Sequence, residues 1–293
     1  MPDTLCAQAR LFRSLHDPAR PLVLANAWDV ASAVLVADAG ASAVATTSAG
    51  VAWSLGTPDG DRLDRDRALA VVARIAAAVD VPVTADVEGG LADSAAEVEV
   101  TVRGVLDAGA VGINLEDGER DAAETAARVA AARRAADRAG VPLFVNARTD
   151  VYLRGIGPEE GRLDEAVARA ARYVDAGADG IFVPGTHDLA VIAELAERIG
   201  VPVNVLVGAG APSVADLAAR GVARVSLGSS VALAAYAAAR RAARELFGSG
   251  TYDSVAGGLG YGDLDGLLAR AARAGAEAST GVGTSVGAST DVA

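Results

Sequence analysis

Eight short apolar, β-branched runs recur along the chain: PLVLANA (21–27), SAVATTS (42–48), VPVTADV (81–87), VGINLED (111–117), VPLFVNART (141–149), GIFVPG (180–185), VPVNVLV (201–207) and ARVSLGSS (223–230). Between them lie Ala/Arg/Glu/Asp-rich stretches with apolar positions at helical spacing, which predict helices at 30–39, 64–79, 94–108, 122–139, 163–176, 188–199, 213–220 and 231–247. Strands that are apolar on both faces and alternate with helices call for a parallel sheet, and eight such units call for a closed (β/α)8 TIM-type barrel. Helix ends repeat one punctuation, as in DAGAS (38–42), DAGAV (107–111), RAGVP (138–142), DAGAD (175–179), RIGVP (198–202) and ARGVA (219–223). A glycine stops each helix and a strand follows at once, so the αβ loops are short and the polar βα connections make up the functional rim. An open doubly wound sheet is the alternative, but ANAWDVAS after the first run lacks the glycine-rich phosphate fingerprint of that fold.

The pattern places one barrel over residues 1–247, a C-terminal helical extension over 248–275, and a Gly/Ser/Thr-rich, flexible, disordered tail over 276–293. The 293-residue length fits, since such a barrel takes roughly 250 residues. A 52% hydrophobic but only 4% aromatic composition means that small aliphatic side chains fill the core. A net charge of −12 argues against nucleic-acid or anionic-membrane partners, which need basic patches. The single cysteine, Cys6, excludes an intrachain disulfide framework and multi-cysteine zinc sites, and with no signal peptide or membrane span in view a soluble, cytoplasmic protein is expected.

Candidate chemistry begins in PVTADVEGG (82–90), where an apolar strand ends in Asp86 and Glu88. Side chains alternate along a strand, so both carboxylates face one way if the extended geometry persists to Glu88. Other strand ends add Ser48, Ala49 and Gly50, with Asp59 beyond them; Asn114, Glu116 and Asp117; Asn146, Arg148 and Asp150; and Asn204. Carboxylates converging on one rim of a chain with two histidines suit a hard cation such as Mg2+ or Mn2+, and Arg148 offers a fork for a substrate carboxylate or phosphonate. Plainer readings stand beside these: Asp86 as a helix cap, Arg148 in a structural ion pair with Asp86 or Glu116, Asp117 in an exposed turn, His187 as a solvated loop residue, and His16 and Cys6 as incidental. Trp28 and Trp53 either wall the pocket or cover the barrel mouth.

In order along the chain, SAGVAWSLGTPDGD (48–61), TADVEGG (84–90), GINLEDG (112–118), VNARTD (145–150) and PVNVL (202–206) resemble the isocitrate lyase/phosphoenolpyruvate mutase superfamily, in particular its PEP mutase-like and 2-methylisocitrate lyase-like members. The resemblance spans about residues 10–247. It implies a Mg2+-dependent barrel that breaks or forms a C–C or P–C bond next to an enolate on small 2-oxo or 2-hydroxy carboxylates or their phosphono analogues. By motif, Asp86 corresponds to the direct metal ligand, and Asp59, Glu88 and Glu116 to the residues that hold the metal's waters. Ser48, Ala49 and Gly50 correspond to the carboxylate cradle, Arg148 to the arginine on the substrate's anionic end, and Asn204 to a pocket asparagine. Arg148 and Glu116 are the expected catalytic residues. The family further implies a homo-oligomer, dimer or tetramer, in which the last barrel helix is exchanged between subunits.

One segment departs from that pattern. Isocitrate and methylisocitrate lyases carry a Cys-containing loop after strand four, and PEP mutases a lysine and an asparagine there, whereas EDGERDAAETAARV (116–129) has no Cys, Lys, His or Asn and is shorter by about a dozen residues. The expectation is therefore a carbon–carbon lyase or decarboxylase. Phosphonopyruvate hydrolase-like or PEP mutase-like P–C chemistry and a non-catalytic carboxylate-binding barrel are the alternatives. Tyr152, Arg154 and the RGIGPEEGR loop (154–162) are candidates to cover the pocket in place of the missing loop.

Overall fold

The computed structural model describes residues 2–280 and shows eight parallel strands: β1 (Leu22–Leu24), β2 (Val44–Ala45), β3 (Val83–Asp86), β4 (Gly112–Glu116), β5 (Phe144–Arg148), β6 (Gly180–Val183), β7 (Val203–Leu206) and β8 (Arg224–Ser226). They are ordered β1-β8-β7-β6-β5-β4-β3-β2. A parallel bridge between Ala27 and Thr46 joins β1 to β2, with Ala27 N–H donating to Ala45 O at 2.8 Å, and closes the barrel. The helices are α1 (Pro2–Ser14), α2 (Val30–Asp38), α3 (Ser48–Ser54), α4 (Arg65–Ala76), α5 (Ala95–Asp107), α6 (Ala122–Ala139), α7 (Arg162–Asp175), α8 (Leu189–Ile199), α9 (Val214–Ala218), α10 (Ser230–Gly248) and α11 (Tyr261–Thr280).

Local chemistry sets the helix limits. Asp121 caps α6 by accepting from Glu124 N–H at 2.7 Å, and Gly140, with φ +67°, ends it in the left-handed region that glycine adopts without steric cost. The strands divide by parity. Ile113 and Leu115 of β4, Val145 and Ala147 of β5, and Val203 and Val205 of β7 face outward and are buried under the helices. Each fully buried Val, Leu or Ile contributes about 1.5–3 kcal/mol.

Two segments differ from expectation. Ser48, Ala49 and Gly50 do not continue a strand end but form the first turn of α3, capped by the Thr47 side chain. His16 is not incidental. From the turn after α1 its ring stacks on Phe144 with centroids 3.9 Å apart, while Phe12 meets Phe144 edge-on and fills the space that Gly112 leaves open. Hydrophobic patterning marked the runs from 21 onward and passed over α1, whose apolar face is only Leu5, Ala9 and Phe12 wide.

At the other end of the chain, α10 leaves the barrel wall. Ala232 is its one buried residue, Leu233, Tyr236, Leu246 and Phe247 are exposed, and Val23 on β1 is also left exposed. The helix α11 continues to Thr280, past the expected boundary at 275, and the rest of the expected tail, 281–293, lies outside the described residues.

Candidate active site

Three side chains from the C-terminal ends of adjacent strands meet at the mouth. Asp86 of β3 pairs in register with Asn114 of β4, and Glu116 of β4 with Arg148 of β5. Arg148 Nη1 lies 2.5 Å from Glu116 Oε2, while Nε and Nη2 grip the two oxygens of the buried Asp150 at 2.6 and 3.1 Å. Two of the five N–H groups of the guanidinium are bonded to Asp150 and Nη1 is ion-paired with Glu116, so N–H groups on the terminal nitrogens remain for a ligand. Arg148 is thus both a structural ion-pair member and an open fork.

Asp86 accepts from Ser48 Oγ at 3.1 Å and from Ser48 N–H at 3.4 Å, so Ser48 orients this carboxylate. Ala49 and Gly50 follow in the same turn; a Cβ on Gly50 would meet Trp28 Cβ at 2.8 Å. Glu88 is buried with φ +50°, its N–H donates to Asp86 Oδ1 at 3.3 Å, and its Oε2 accepts from the Asp61 N–H. Asp59 is exposed and acts on Glu88 only through its charge; it is Asp61, two residues on, that makes the contact. Sequence spacing gave no signal for the Asp61 contact, because the 55–64 loop turns through Gly56, Gly60 and Asp61, all at positive φ.

Beneath the carboxylates lies a polar floor inside the barrel. Asn146 Nδ2 donates to Asn114 Oδ1 at 2.9 Å and to Asn204 Oδ1 at 3.1 Å. Asn204 Nδ2 donates to Arg224 O and Ser226 Oγ, each at 3.2 Å, so Asn204 is part of this floor. Arg224 is wholly buried and was missed in the sequence, although an arginine inside an apolar strand, ARVS, was the available signal.

Burial dominates the electrostatics. It raises the Asp86 pKa, partly offset by Arg148. It pushes Glu88 up to about 7, with the Asp61 N–H opposing and the charges of Asp86, Asp59 and Asp61 adding to it. It pushes Glu116 up to about 8, with Arg148 opposing and Asp86, Asp150 and Glu88 adding. Burial also disfavours the Arg148 charge, but Glu116 and Asp150 outweigh it and hold the guanidinium ionised. One arginine shared by Glu116 and Asp150 cannot pair with four acids, so the mouth crowds carboxyl oxygens together and, without a further cation, holds part of them protonated. That donor set fits a hard divalent cation. Among the described residues no three His, Cys, Asp or Glu groups form a cluster that could hold a metal ion by themselves.

The remaining candidates separate clearly. Asp117 is not in an exposed turn: it is wholly buried, accepting from Asp150 N–H at 2.8 Å and from Arg169 Nη1 and Tyr173 OH at 2.9 Å. Trp28 and Trp53 both pack on Tyr236 of α10, with centroids 6.5 and 6.3 Å away. Arg154 bonds Asp150 and Glu119, tying the loop after β5 to the one after β4. His187 is exposed, its Nε2 3.2 Å from Leu206 O. No helix among the described residues is long and apolar enough to cross a membrane.

The phosphoenolpyruvate phosphomutase family model matches residues 12–247. An uncharacterised protein of Mycobacterium tuberculosis is 41% identical over 80% of this chain and 87% of its own length. The 2-methylisocitrate lyase of Escherichia coli K12 is 32% identical over 68% and 70%. A crystal structure of phosphonopyruvate hydrolase with oxalate and Mg2+ is 26% identical, covers 93% of this chain and 98% of that one, and superposes with a TM-score of 0.77. With an eight-stranded parallel barrel and this match over most of its length, the chain belongs to the phosphoenolpyruvate phosphomutase family, within the isocitrate lyase/PEP mutase superfamily of lyases and mutases.

Proposed function

We propose that the protein is a Mg2+- or Mn2+-dependent lyase or decarboxylase that cleaves a carbon–carbon bond of a small 2-oxo or 2-hydroxy carboxylic acid, leaving the bonding electrons on an enolate. The observation that carries this reading is the convergence of Asp86 and Glu116 on Arg148 at the mouth, with Glu88 beside Asp86, which gathers more carboxyl groups than the arginine pairs with. The cation would be held directly by Asp86, with Glu88 and Glu116 on its waters and Asp59 farther out. When bound it supplies positive charge beside the substrate's 2-oxygen, where negative charge develops as the bond breaks.

The chain's own groups do the rest. Arg148 holds the substrate's anionic end through its two uncommitted N–H groups, and Asp150 fixes the plane of that fork. Ser48 keeps Asp86 in one rotamer, and Ala49 with Gly50, whose missing Cβ lets α3 pack closely on Trp28, continues the turn proposed to cradle the substrate carboxylate. Asn204 stiffens the floor under the reacting carbons. The five-residue connection 117–121 carries no Cys, Lys or His, so proton transfer does not come from a side chain of the kind found in the related lyases. A homo-oligomer covering α10 and the exposed side of β1 at Val23, in the cytoplasm where Cys6 stays reduced, completes the proposal.

A screen of 2-oxo and 2-hydroxy acids with added Mg2+ or Mn2+, reading pyruvate and CO2, tests the reaction. Asp86→Ala and Arg148→Lys should each reduce turnover by about 100-fold or more. Full metal-dependent turnover by Asp86→Ala would refute the site. Similarity to a phosphonopyruvate hydrolase favours P–C cleavage as the second reading, and phosphate release from phosphonopyruvate identifies it.

A further inference from the structure

Beside the carboxylates, three connections are tied together at one aspartate. The Asp61 N–H donates to Glu88 Oε2, and in return Gly89 N–H donates to Asp61 Oδ1 at 3.0 Å. Arg120, from the connection after β4, binds the remaining oxygen, Nη2 to Oδ2 at 2.5 Å. Its guanidinium lies so close over Gly89 that a Cβ there would come within 2.2–2.4 Å of it. Asp61, Glu88 and Leu91, with φ of +55°, +50° and +48°, all occupy the left-handed region that side chains other than glycine rarely adopt. Such conformations persist only where surrounding contacts over-determine them, and they cluster at ligand sites. Arg128 braces the same turn from below, donating to Gly89 O at 2.7 Å and Ala92 O at 2.9 Å.

The arrangement has one outlet toward the mouth. Glu88 Oε2 is committed to Asp61, so Oε1 is the oxygen available to a hydrated cation, and its placement depends on where Asp61 is held. Among the described residues, Arg120 is the one charged side chain that holds Asp61 from outside. We propose that Arg120 is a positioning residue of the cation site: acting through Asp61, it fixes the Glu88 carboxylate and couples cation binding to closure of the 55–64 loop. The proposal rests on the cation reading above. It also accounts for GG at 89–90, since Gly89 makes the seat for the Arg120 guanidinium while Gly90, at φ +111°, makes the turn.

Gly89→Ala offers an independent test. Gly89 itself lies outside the left-handed region, so alanine suits the backbone, and the Cβ meets the far end of a flexible side chain; Arg120 is displaced without being removed. Full-length wild type, Arg120→Gln, Arg120→Lys, Gly89→Ala and Asp86→Ala are compared by Mn2+ titration calorimetry and by hydrogen–deuterium exchange over 57–64 and 88–93. Arg120→Gln and Gly89→Ala should both speed exchange in these segments and weaken Mn2+ binding by about 10- to 100-fold, as loss of outer partners of a metal site does, with Arg120→Lys retaining part of the affinity. Faster exchange with unchanged Mn2+ affinity would reduce Arg120 to a loop brace and overturn the proposal, as would unchanged exchange. Wild type that binds Mn2+ no more tightly than Asp86→Ala overturns the cation reading first, and that result is visible before any Arg120 variant is measured.

Discussion

Arg224 on β8 reaches across the barrel to Asn114 on β4, the strand diametrically opposite, and donates from Nη2 to Oδ1 at 3.1 Å. Among the described residues that is its one side-chain hydrogen bond, and Nε and Nη1 are buried without a partner there. Burial lowers its pKa to about 9, with Asp86 opposing. The barrel therefore carries a cation under the acidic mouth at considerable desolvation cost.

Replacing that charge should be tolerated better than stranding it. Arg224→Met, which fills similar space, is expected to leave unfolding free energy within about 1 kcal/mol of wild type or to raise it, whereas Asn114→Ala should lower it by about 3–5 kcal/mol by leaving the guanidinium unpaired. Urea unfolding monitored by circular dichroism measures both. Equal losses in the two variants would show that the charge itself holds the floor together.

Asp117 gathers Arg169, Tyr173 and the Asp150 N–H around one buried carboxylate. Asp117→Ala should cost about 2–4 kcal/mol in unfolding free energy, because it leaves a buried phenol and the Asp150 N–H without their acceptor and removes one of the two carboxylates on Arg169, whose Nε stays on Glu165. A loss under about 1 kcal/mol, the level of a surface pair, would contradict this assignment.

The buried His16 predicts an acid-sensitive barrel bottom. Its pKa falls from 6.5 to about 3, chiefly through burial and then through the Arg224 charge, with the bond to Phe12 O opposing. The folded state keeps the ring neutral while the unfolded chain protonates it below about 6.5, so stability is lost as pH falls from 6.5 toward 3, at about 1.4 kcal/mol per pH unit. His16→Phe keeps a ring on Phe144 without the titrating group, and its thermal midpoint should fall less steeply with pH across that window. Parallel profiles for the two proteins would reject the assignment.

Glu88 and Glu116 act with the opposite sign. Their folded pKa values, about 7 and about 8, lie above the ordinary 4.5, so the folded state retains protons that the unfolded chain releases. Without metal, stability should fall as pH rises from 4.5 through 8, and a divalent cation, which favours the ionised carboxylates, should protect most at the alkaline end. Melting in chelator against melting in Mg2+ or Mn2+, at about pH 6 and again above pH 8, measures the difference. A cation-induced rise in midpoint that shrinks with pH would contradict the arrangement.

Strand-end positions were legible because inward and outward side chains alternate. GINLE places Asn114 and Glu116 on one face and Ile113 and Leu115 on the other, and FVNAR does the same for Asn146 and Arg148. The contact of Asp61 with Glu88, the burial of Asp117 and the plug formed by Phe12 and His16 were not legible, since each depends on a loop or a terminal helix returning to a barrel that spacing alone does not locate.

The order of apolar runs and helical stretches by itself determined the (β/α)8 architecture and the rim that bears Asp86, Glu116 and Arg148, because both follow from local periodicity and the near-invariant handedness of parallel crossovers. Only the tertiary structure decided what those groups touch. Arg148 is divided between its near neighbour Asp150 and the distant Glu116, Asp61 is clamped by Arg120 onto Glu88, and Arg224 lies buried beneath Asp86, and all but the Asp150 contact join residues far apart in sequence. Charge and hydrogen bonding act through space, and the closed barrel sets those distances.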